Sequence, residues 1–188
     1  MRQQDFFPAV INDLKKSINV PPENYVLDPT LEQVQAFTAT EFAFDIETNY
    51  PVSREITMVG LSDKPYHAIV VPFRGPYKRE LARIFRAATL LIGHNSIQFD
   101  IPYLQEYGIE FNTETLNANC WDTMLMQHLL QPDQPHDLTY VGSIFTSKPT
   151  WEFDKRGAME LYNARDVDVT MQAYKQLRQL LKVEHLEH

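Results

Sequence analysis

The chain has 188 residues, 44% hydrophobic and 22% charged, which is enough for one globular domain with a full core. Its single cysteine, Cys120, excludes an intrachain disulfide and a cysteine-based zinc site, and no apolar run reaches membrane-spanning length. The formal net charge of −8 argues against tight, charge-driven binding of duplex nucleic acid, but it allows a substrate held locally by metal ions. Because the N-terminus lacks a signal-peptide core, we expect an intracellular protein, cytoplasmic or nucleoid-associated, with no membrane partner.

The chain divides into an N-terminal extension, one domain and a short tail. Residues 1–24 form the extension, in which helical spacing of apolar residues predicts an amphipathic helix packed on the core or facing a partner. Residues 25–182 form the domain. Residues 183–188 end in Leu-Glu-His, which looks like the beginning of an expression tag, and we exclude them from the fold.

The first elements of the domain lead to an unusual strand. A short strand at 25–27 is followed by a helix that Thr30 caps, with Gln33 completing a capping box. From Phe42 to Thr48 apolar and other residues alternate, which is the period of a strand and sends Asp45 and Glu47 to the same face. Buried together, two carboxylates repel each other and lose hydration, and Mg²⁺ or Mn²⁺ would relieve both costs. The alternative is an edge strand whose polar face meets water.

The later elements alternate between strands and helices. Strands at 55–61 and 66–71, joined by a turn at 62–65, are close enough to be antiparallel neighbours. The remaining predictions are a helix at 78–88, a strand at 89–92, a helix at 99–107, an irregular stretch at 109–116, a strand at 117–121, helices at 122–130 and 137–145, a loop at 146–157 and a helix at 158–182. This order predicts an α/β fold whose mixed sheet begins with antiparallel strands and carries helices on both faces.

Two further carboxylates, Asp100 and Asp166, occupy positions where catalytic or metal-binding side chains could lie. Asp100 lies at a strand-to-helix transition, where functional side chains often occur. Asp166 follows Tyr162 by four residues in the last helix, so both project from one helix face. A carboxylate beside a phenol could be a metal ligand beside a hydroxyl that orients water. Taken alone, the pair is more often a surface aspartate and a core tyrosine.

Several neighbouring residues have simpler interpretations. Asp122 and Asp137 are expected to cap helices, with Leu125 and Leu129 pointing inward from the first of these helices. Asp168 lies two residues beyond Asp166 and should point elsewhere. The loop residues Trp151, Lys155 and Arg156 could touch a DNA strand, although loop packing is the favoured interpretation.

Taken together, the segments resemble the three exonuclease motifs of the DEDD superfamily, in its tyrosine subgroup. The matching segments are Phe44–Thr48, Gly93–Asn95 with Phe99–Leu104, and Tyr162–Asp166. The histidine subgroup would carry a histidine at position 161, where this chain has Leu161. Segments 122–125 and 136–138 also resemble the proofreading exonuclease domains of family A DNA polymerases. The resemblance spans about residues 25–182 and implies a ribonuclease H-like fold.

The resemblance also implies roles for particular residues. Asp45, Glu47 and Asp166 would hold one Mg²⁺ or Mn²⁺ ion, and Asp45 would bridge to a second ion near Asp100. Tyr162 would orient the attacking water. Three further positions match substrate contacts in the family: Thr48, Asn95 and Phe99.

The expected function is therefore a two-metal 3′-5′ exonuclease. It would release nucleoside monophosphates from the 3′ end of single-stranded or frayed DNA, in proofreading beside a DNA polymerase domain or subunit. One alternative is an exoribonuclease similar to ribonuclease D, since the sequence does not show contacts to the 2′ hydroxyl. The other is a non-catalytic nucleic-acid-binding module, against which the presence of all five catalytic side chains counts.

Overall fold

The computed structural model of the chain describes Lys16, residues 21–149, Trp151 and residues 158–184. Apart from Lys16, the predicted N-terminal helix lies outside these residues. The described part of the chain contains one six-stranded sheet, whose strands are β1 (Asn24–Val26), β2 (Glu41–Thr48), β3 (Ile56–Lys64), β4 (His67–Pro72), β5 (Leu90–Gly93) and β6 (Cys120–Asp122). The helices are α1 (Leu31–Gln35), α2 (Gly75–Ala87), α3 (Asp100–Glu106), α4 (Thr113–Ala118), α5 (Thr123–Leu130), α6 (Leu138–Phe145) and α7 (Met159–Val183).

The sheet is mixed, as the element order predicts. Its strands lie in the order β1-β4-β3-β2-β5-β6. The pairs β2–β3 and β3–β4 are antiparallel, whereas β2–β5, β5–β6 and β1–β4 are parallel. Strand β2 therefore joins the antiparallel early strands to the parallel later ones. This places the carboxyl ends of β2 and β5 at the same edge of the sheet.

Strand β2 supplies side chains to both faces of the sheet. On one face, Phe42 and Phe44 pack edge-on against Phe85 of α2, with ring centroids 5.6 and 5.3 Å apart. On the other face, Ala43 belongs to a second cluster with Met171 and Leu177 of α7. Helices thus cover both faces, and the predicted fold class is confirmed. Among the described residues, no helix combines the length and the hydrophobicity that crossing a bilayer requires.

The predicted helix caps are present. Thr30 and Gln33 form the capping box at the start of α1. Asp122 accepts a hydrogen bond from the Met124 backbone at the start of α5, and Asp137 accepts one from Tyr140 at the start of α6. Pro102 lies in the first turn of α3, where a missing backbone N–H costs nothing.

Two of the predicted boundaries are wrong. The stretch expected to be irregular contains α4, whose first backbone N–H groups donate to the side chain of Asn112. Because α4 continues to Ala118, the following strand is shorter than predicted. The turn expected at 62–65 is also shorter, since a bulge lets β3 continue to Lys64, and Tyr66 adopts a φ of 62°.

The prediction that Leu125 and Leu129 point inward is also wrong. These side chains are 42% and 60% exposed, whereas Met126 is buried against α7. Helix α5 is apolar around most of its circumference, so the periodicity of its sequence does not select the face that packs.

Candidate active site

The carboxylates of Asp45, Glu47 and Asp166 converge on one point. One oxygen from each lies within 4.8 Å of the others. Asp45 and Glu47 leave β2 on the face that α7 crosses, and Asp166 lies about two turns from the start of α7, which packs on the sheet. A strand period of two and a helix crossing therefore bring together residues that lie more than a hundred positions apart.

A glycine permits the close approach of α7. Gly60 is paired with Asp45 across β2 and β3. A Cβ atom at this position would lie 2.4 Å from Oδ1 of Asn163, inside any real contact. Because Gly60 has no side chain, Asn163 can reach Asp45, and its Nδ2 donates to Asp45 Oδ2 at 2.7 Å. The motifs gave no reason to single out Asn163.

The fourth predicted carboxylate, Asp100, adjoins this cluster. It begins α3, is only 3% exposed, and its Oδ1 accepts a hydrogen bond of 2.9 Å from the backbone N–H of Ile46. Ile46 lies between Asp45 and Glu47 in the sequence. The structure therefore brings all four predicted acids to the carboxyl edge of β2 and β5, the position where α/β sheets commonly bind ligands.

Burial and neighbouring charges raise the pKa values of Asp45 and Asp100. Burial, followed by the charges of Asp100, Asp166 and Glu47, raises the pKa of Asp45 well above its usual range. Burial raises the pKa of Asp100 to about 7, against the opposing hydrogen bond from Ile46, and the charges of Asp122 and Glu47 add to the increase. A site that disfavours its own negative charge in this way is suited to a bound cation.

The predicted partner of Asp166, Tyr162, lies in the first turn of α7. It is half-buried and precedes Asp166 by one helical turn, so the two residues share a face as predicted. The role of its hydroxyl group stays a prediction.

A turn beside the site is held by Asp122, which does more than cap α5. Its carboxylate accepts hydrogen bonds from the backbone N–H groups of Asn95, at 2.9 Å, and Ile97, at 3.3 Å. Asn95 itself adopts a left-handed φ of 59°. The carboxylate thereby fixes the turn that leads from β5 into α3 and Asp100.

Next to the acids lies a cleft of about 600 Å³ that contains two of the three predicted substrate contacts. Its lining consists of Ile46, Glu47, Thr48, Tyr50, Arg54, Phe99 and Tyr103. Thr48 and Phe99 are thus brought together beside Glu47, whereas Asn95 lies outside this lining. The ring of Phe99 lies partly exposed against that of Tyr103, with centroids 4.7 Å apart.

Arg54, to which no sequence motif points, also lines the cleft. Its Nε donates to the Tyr103 hydroxyl at 2.7 Å, and its guanidinium lies 4.9 Å from the centroid of the Tyr103 ring. The Tyr107 hydroxyl donates to the backbone carbonyl of Arg54. These contacts hold a positive charge beside a strongly acidic site. No sequence pattern indicates them, because they connect a loop to α3 across about fifty residues.

Asp168 and Trp151 occupy the places that the simpler interpretations expected. Asp168 is fully buried away from the cluster and forms an ion pair with Lys148 at 2.9 Å. Trp151 is buried, which confirms that it packs inside the protein and is not exposed to a DNA strand. Its indole Nε1 also donates a hydrogen bond to Asp166 at 2.5 Å. Burial and then the charge of Asp122 raise the pKa of the Cys120 thiol to about 11, which makes it a poor nucleophile.

Comparison with known proteins identifies the class to which this fold and site belong. The family model described as 3′-5′ exonuclease matches residues 24–182, so the chain belongs to this family and is a nuclease. The resemblance to DEDD exonucleases is thereby confirmed.

A solved structure described as the apo form of a nuclease has the same fold. It is 18% identical to this chain, with a TM-score of 0.65, and the match covers 87% of this chain and 83% of that one. No curated protein sequence matches the chain.

Proposed function

We propose that this nuclease is a 3′-5′ exonuclease that hydrolyses the terminal phosphodiester bonds of single-stranded or frayed DNA and uses two divalent cations. The observation that carries the proposal is the convergence of Asp45, Glu47 and Asp166 within 4.8 Å, with Asp100 bonded to the strand between them. Such a group of acids is unfavourable unless it binds positive charge.

The donor atoms fit Mg²⁺ or Mn²⁺. All of them are carboxylate oxygens, the ligands that these hard cations prefer. Asp45, Glu47 and Asp166 would hold one ion, and Asp45 and Asp100 would hold a second. When bound, such ions lower the pKa of water to make a nucleophile and stabilise the leaving oxygen.

The protein's own groups orient the reactants. Tyr162 would hold the attacking water through its hydroxyl group, since a phenol with an ordinary pKa of about 10 is a poor base at neutral pH. Glu47 lines both the acidic cluster and the cleft, so it would also contact the terminal 3′ hydroxyl.

The cleft favours an unpaired terminal nucleotide. A base that stacks on the exposed face of Phe99 has left its own stack, which a frayed or single-stranded end allows at low cost. Thr48 and Asn95 would contact the same nucleotide. Arg54 would contact a backbone phosphate, because the guanidinium nitrogens beyond Nε make no hydrogen bond to the described residues.

A nuclease assay tests the proposal. DNA oligonucleotides labelled at the 5′ end, incubated with the protein and Mg²⁺ or Mn²⁺, should shorten from the 3′ end by one nucleotide at a time. Asp45→Ala and a chelator should each abolish shortening, and single strands should be degraded faster than blunt duplexes. Equal degradation by wild type and Asp45→Ala, or none by wild type with either metal, would refute the proposal.

Two further comparisons test whether the substrate is DNA or RNA and whether the protein proofreads. A matched RNA oligonucleotide that is degraded faster than DNA would make the protein an exoribonuclease and leave the chemistry unchanged. Proofreading beside a DNA polymerase, which we also propose, requires mismatched primer ends to be removed faster than matched ends. Equal rates on the two primers would refute that role.

A further inference from the structure

The three aspartates of the candidate active site, Asp45, Asp100 and Asp166, share one arrangement. In each, one carboxylate oxygen accepts a hydrogen bond from an uncharged N–H group. The pairs are Asp100 with the backbone of Ile46 at 2.9 Å, Asp45 with the amide of Asn163 at 2.7 Å, and Asp166 with the indole of Trp151 at 2.5 Å. A neutral donor fixes a carboxylate without cancelling its charge, whereas a lysine or arginine would compete with a metal ion for it.

The indole of Trp151 is built into the fold beside Asp166. Trp151 lies in the segment between α6 and α7 and is 3% exposed. Gly142 of α6 makes room for it, since a Cβ atom there would lie 2.7 Å from the edge of the indole ring and 2.9 Å from Val169 of α7. The ring is therefore held between two helices, and its N–H group is aimed at Asp166 by packing.

Trp151 opposes a repulsion that the site itself creates. The charges of Asp45 and Glu47 face Asp166 within 4.8 Å. A rotation of the Asp166 carboxylate that relieves this repulsion would stretch its hydrogen bond to the indole, so this bond opposes the rotation. An indole N–H is never an acceptor and carries no charge at any ordinary pH, so it holds the carboxylate in both its metal-free and metal-bound states.

We propose that Trp151 is a positioning residue, which holds Oδ1 of Asp166 so that the carboxylate is oriented to share a divalent cation with Asp45 and Glu47. This inference rests on the proposed function. Loss of an outer partner of a metal ligand typically weakens metal affinity about 10- to 100-fold. Trp151 would therefore set the metal concentration at which the enzyme works.

The test compares two tryptophan-to-phenylalanine variants. Trp151→Phe keeps an aromatic ring and removes the N–H group. Trp121→Phe is the matched control, because Trp121 packs on Tyr174 and Arg178, which lie about two and three turns beyond Asp166 in α7. Calorimetric titration with Mn²⁺ should show affinity weakened about 10- to 100-fold in Trp151→Phe and unchanged in Trp121→Phe. Excess Mn²⁺ should restore most of the maximal rate of Trp151→Phe on single-stranded DNA.

The outcomes separate this inference from the proposed function. If wild type and Asp166→Asn titrate alike, the metal site itself is refuted. If wild type binds Mn²⁺ and folded Trp151→Phe binds it equally well, only the role of Trp151 is overturned.

A second measurement does not depend on the stability of Trp151→Phe. In the Trp121→Phe protein, Trp151 is the one remaining tryptophan of the chain. Paramagnetic Mn²⁺ should quench its fluorescence with the affinity measured by calorimetry, and Asp166→Asn in this background should remove the response. Emission that stays constant while calorimetry shows Mn²⁺ binding would overturn the inference.

Discussion

Asp166 and Asp168 lie two residues apart in α7, are both buried, and have different surroundings. Asp166 faces two other carboxylates and accepts a hydrogen bond from an uncharged indole. Asp168 forms an ion pair with Lys148, which is itself only 2% exposed and pairs with Glu23. One position thus concentrates negative charge, and the other balances it within the protein.

The pKa of Glu23, beside Lys148, moves in the opposite direction to the pKa values of Asp45 and Asp100. At Glu23, burial alone would raise the pKa, but hydrogen bonds and charges from Lys148 and Arg165 outweigh it and lower the pKa. In the acidic cluster, burial and neighbouring carboxylates raise the pKa values of Asp45 and Asp100. The charge of a buried acid that has its own cation is balanced within the protein, and loss of either partner leaves an unpaired buried charge. A site where several acids meet is suited to an external cation.

The largest expected effect is on activity, from Asp166→Asn. Asparagine can keep the hydrogen bond to Trp151 but removes the charge that a cation requires. We expect the exonuclease rate to fall at least about 10³-fold, equivalent to about 4 kcal/mol of barrier. The free energy of unfolding without metal should stay equal or rise, because repulsion is removed. Degradation of labelled single-stranded DNA measures the exonuclease rate, and urea unfolding measures the stability. If Asp166→Asn keeps more than about a tenth of the wild-type rate, Asp166 is not a metal ligand.

The same substitution at Asp168 should have the reverse effect. Asp168→Asn leaves Lys148 buried with Glu23 as its one remaining acidic partner among the described residues. Removing one member of a buried ion pair costs about 3 kcal/mol or more of the free energy of unfolding. The exonuclease rate of the folded variant at low temperature should match wild type. If Asp168→Asn is as stable as wild type in urea, the ion pair does not stabilise the fold.

The pH dependence of stability offers a third distinction. Asp100 has a pKa of about 7 in the folded protein, against an ordinary value of 3.8, so the folded state keeps a proton that the unfolded state has lost. Through Asp100 alone, the stability of the metal-free protein should therefore decrease by about 2.5 kcal/mol as the pH rises from about 5 to about 8. Melting curves across this range measure it.

Asp100→Asn is the control for this decrease, because this position can then no longer titrate and the decrease should shrink to the part that the raised pKa of Asp45 causes. Added Mg²⁺ should oppose the decrease most strongly at the alkaline end, where the carboxylates are charged. A metal-free stability profile that has the same pH dependence in wild type and in Asp100→Asn would contradict the raised pKa of Asp100.

The smallest effect on stability is expected at Glu23, the more exposed of the two acids that pair with Lys148. Glu23→Gln keeps hydrogen-bonding capacity beside Lys148 and removes one charge that is partly exposed to solvent. We expect a loss of about 1 kcal/mol in the free energy of unfolding and no change in the exonuclease rate. A loss as large as that of Asp168→Asn would show that the two acids support Lys148 equally.

Local rules accounted for much of the fold. The alternation along β2, the caps at Thr30, Asp122 and Asp137, and the order of strands and helices each depend on neighbours within a few residues. These features predicted a mixed sheet with helices on both faces. The face of α5 was predicted wrongly, because Leu125 and Met126 are equally apolar and only packing against α7 buries Met126.

The sequence alone determined which site residues project from a shared face of their element: Asp45 with Glu47 on a strand, and Tyr162 with Asp166 on a helix. Tertiary structure decided that these faces meet, that Arg54 enters the cleft, and that Trp151 reaches Asp166. The physical reason is that strand and helix periods fix directions within an element. The distances between elements depend on packing, such as the space left by Gly60 and Gly142, which no local pattern expresses.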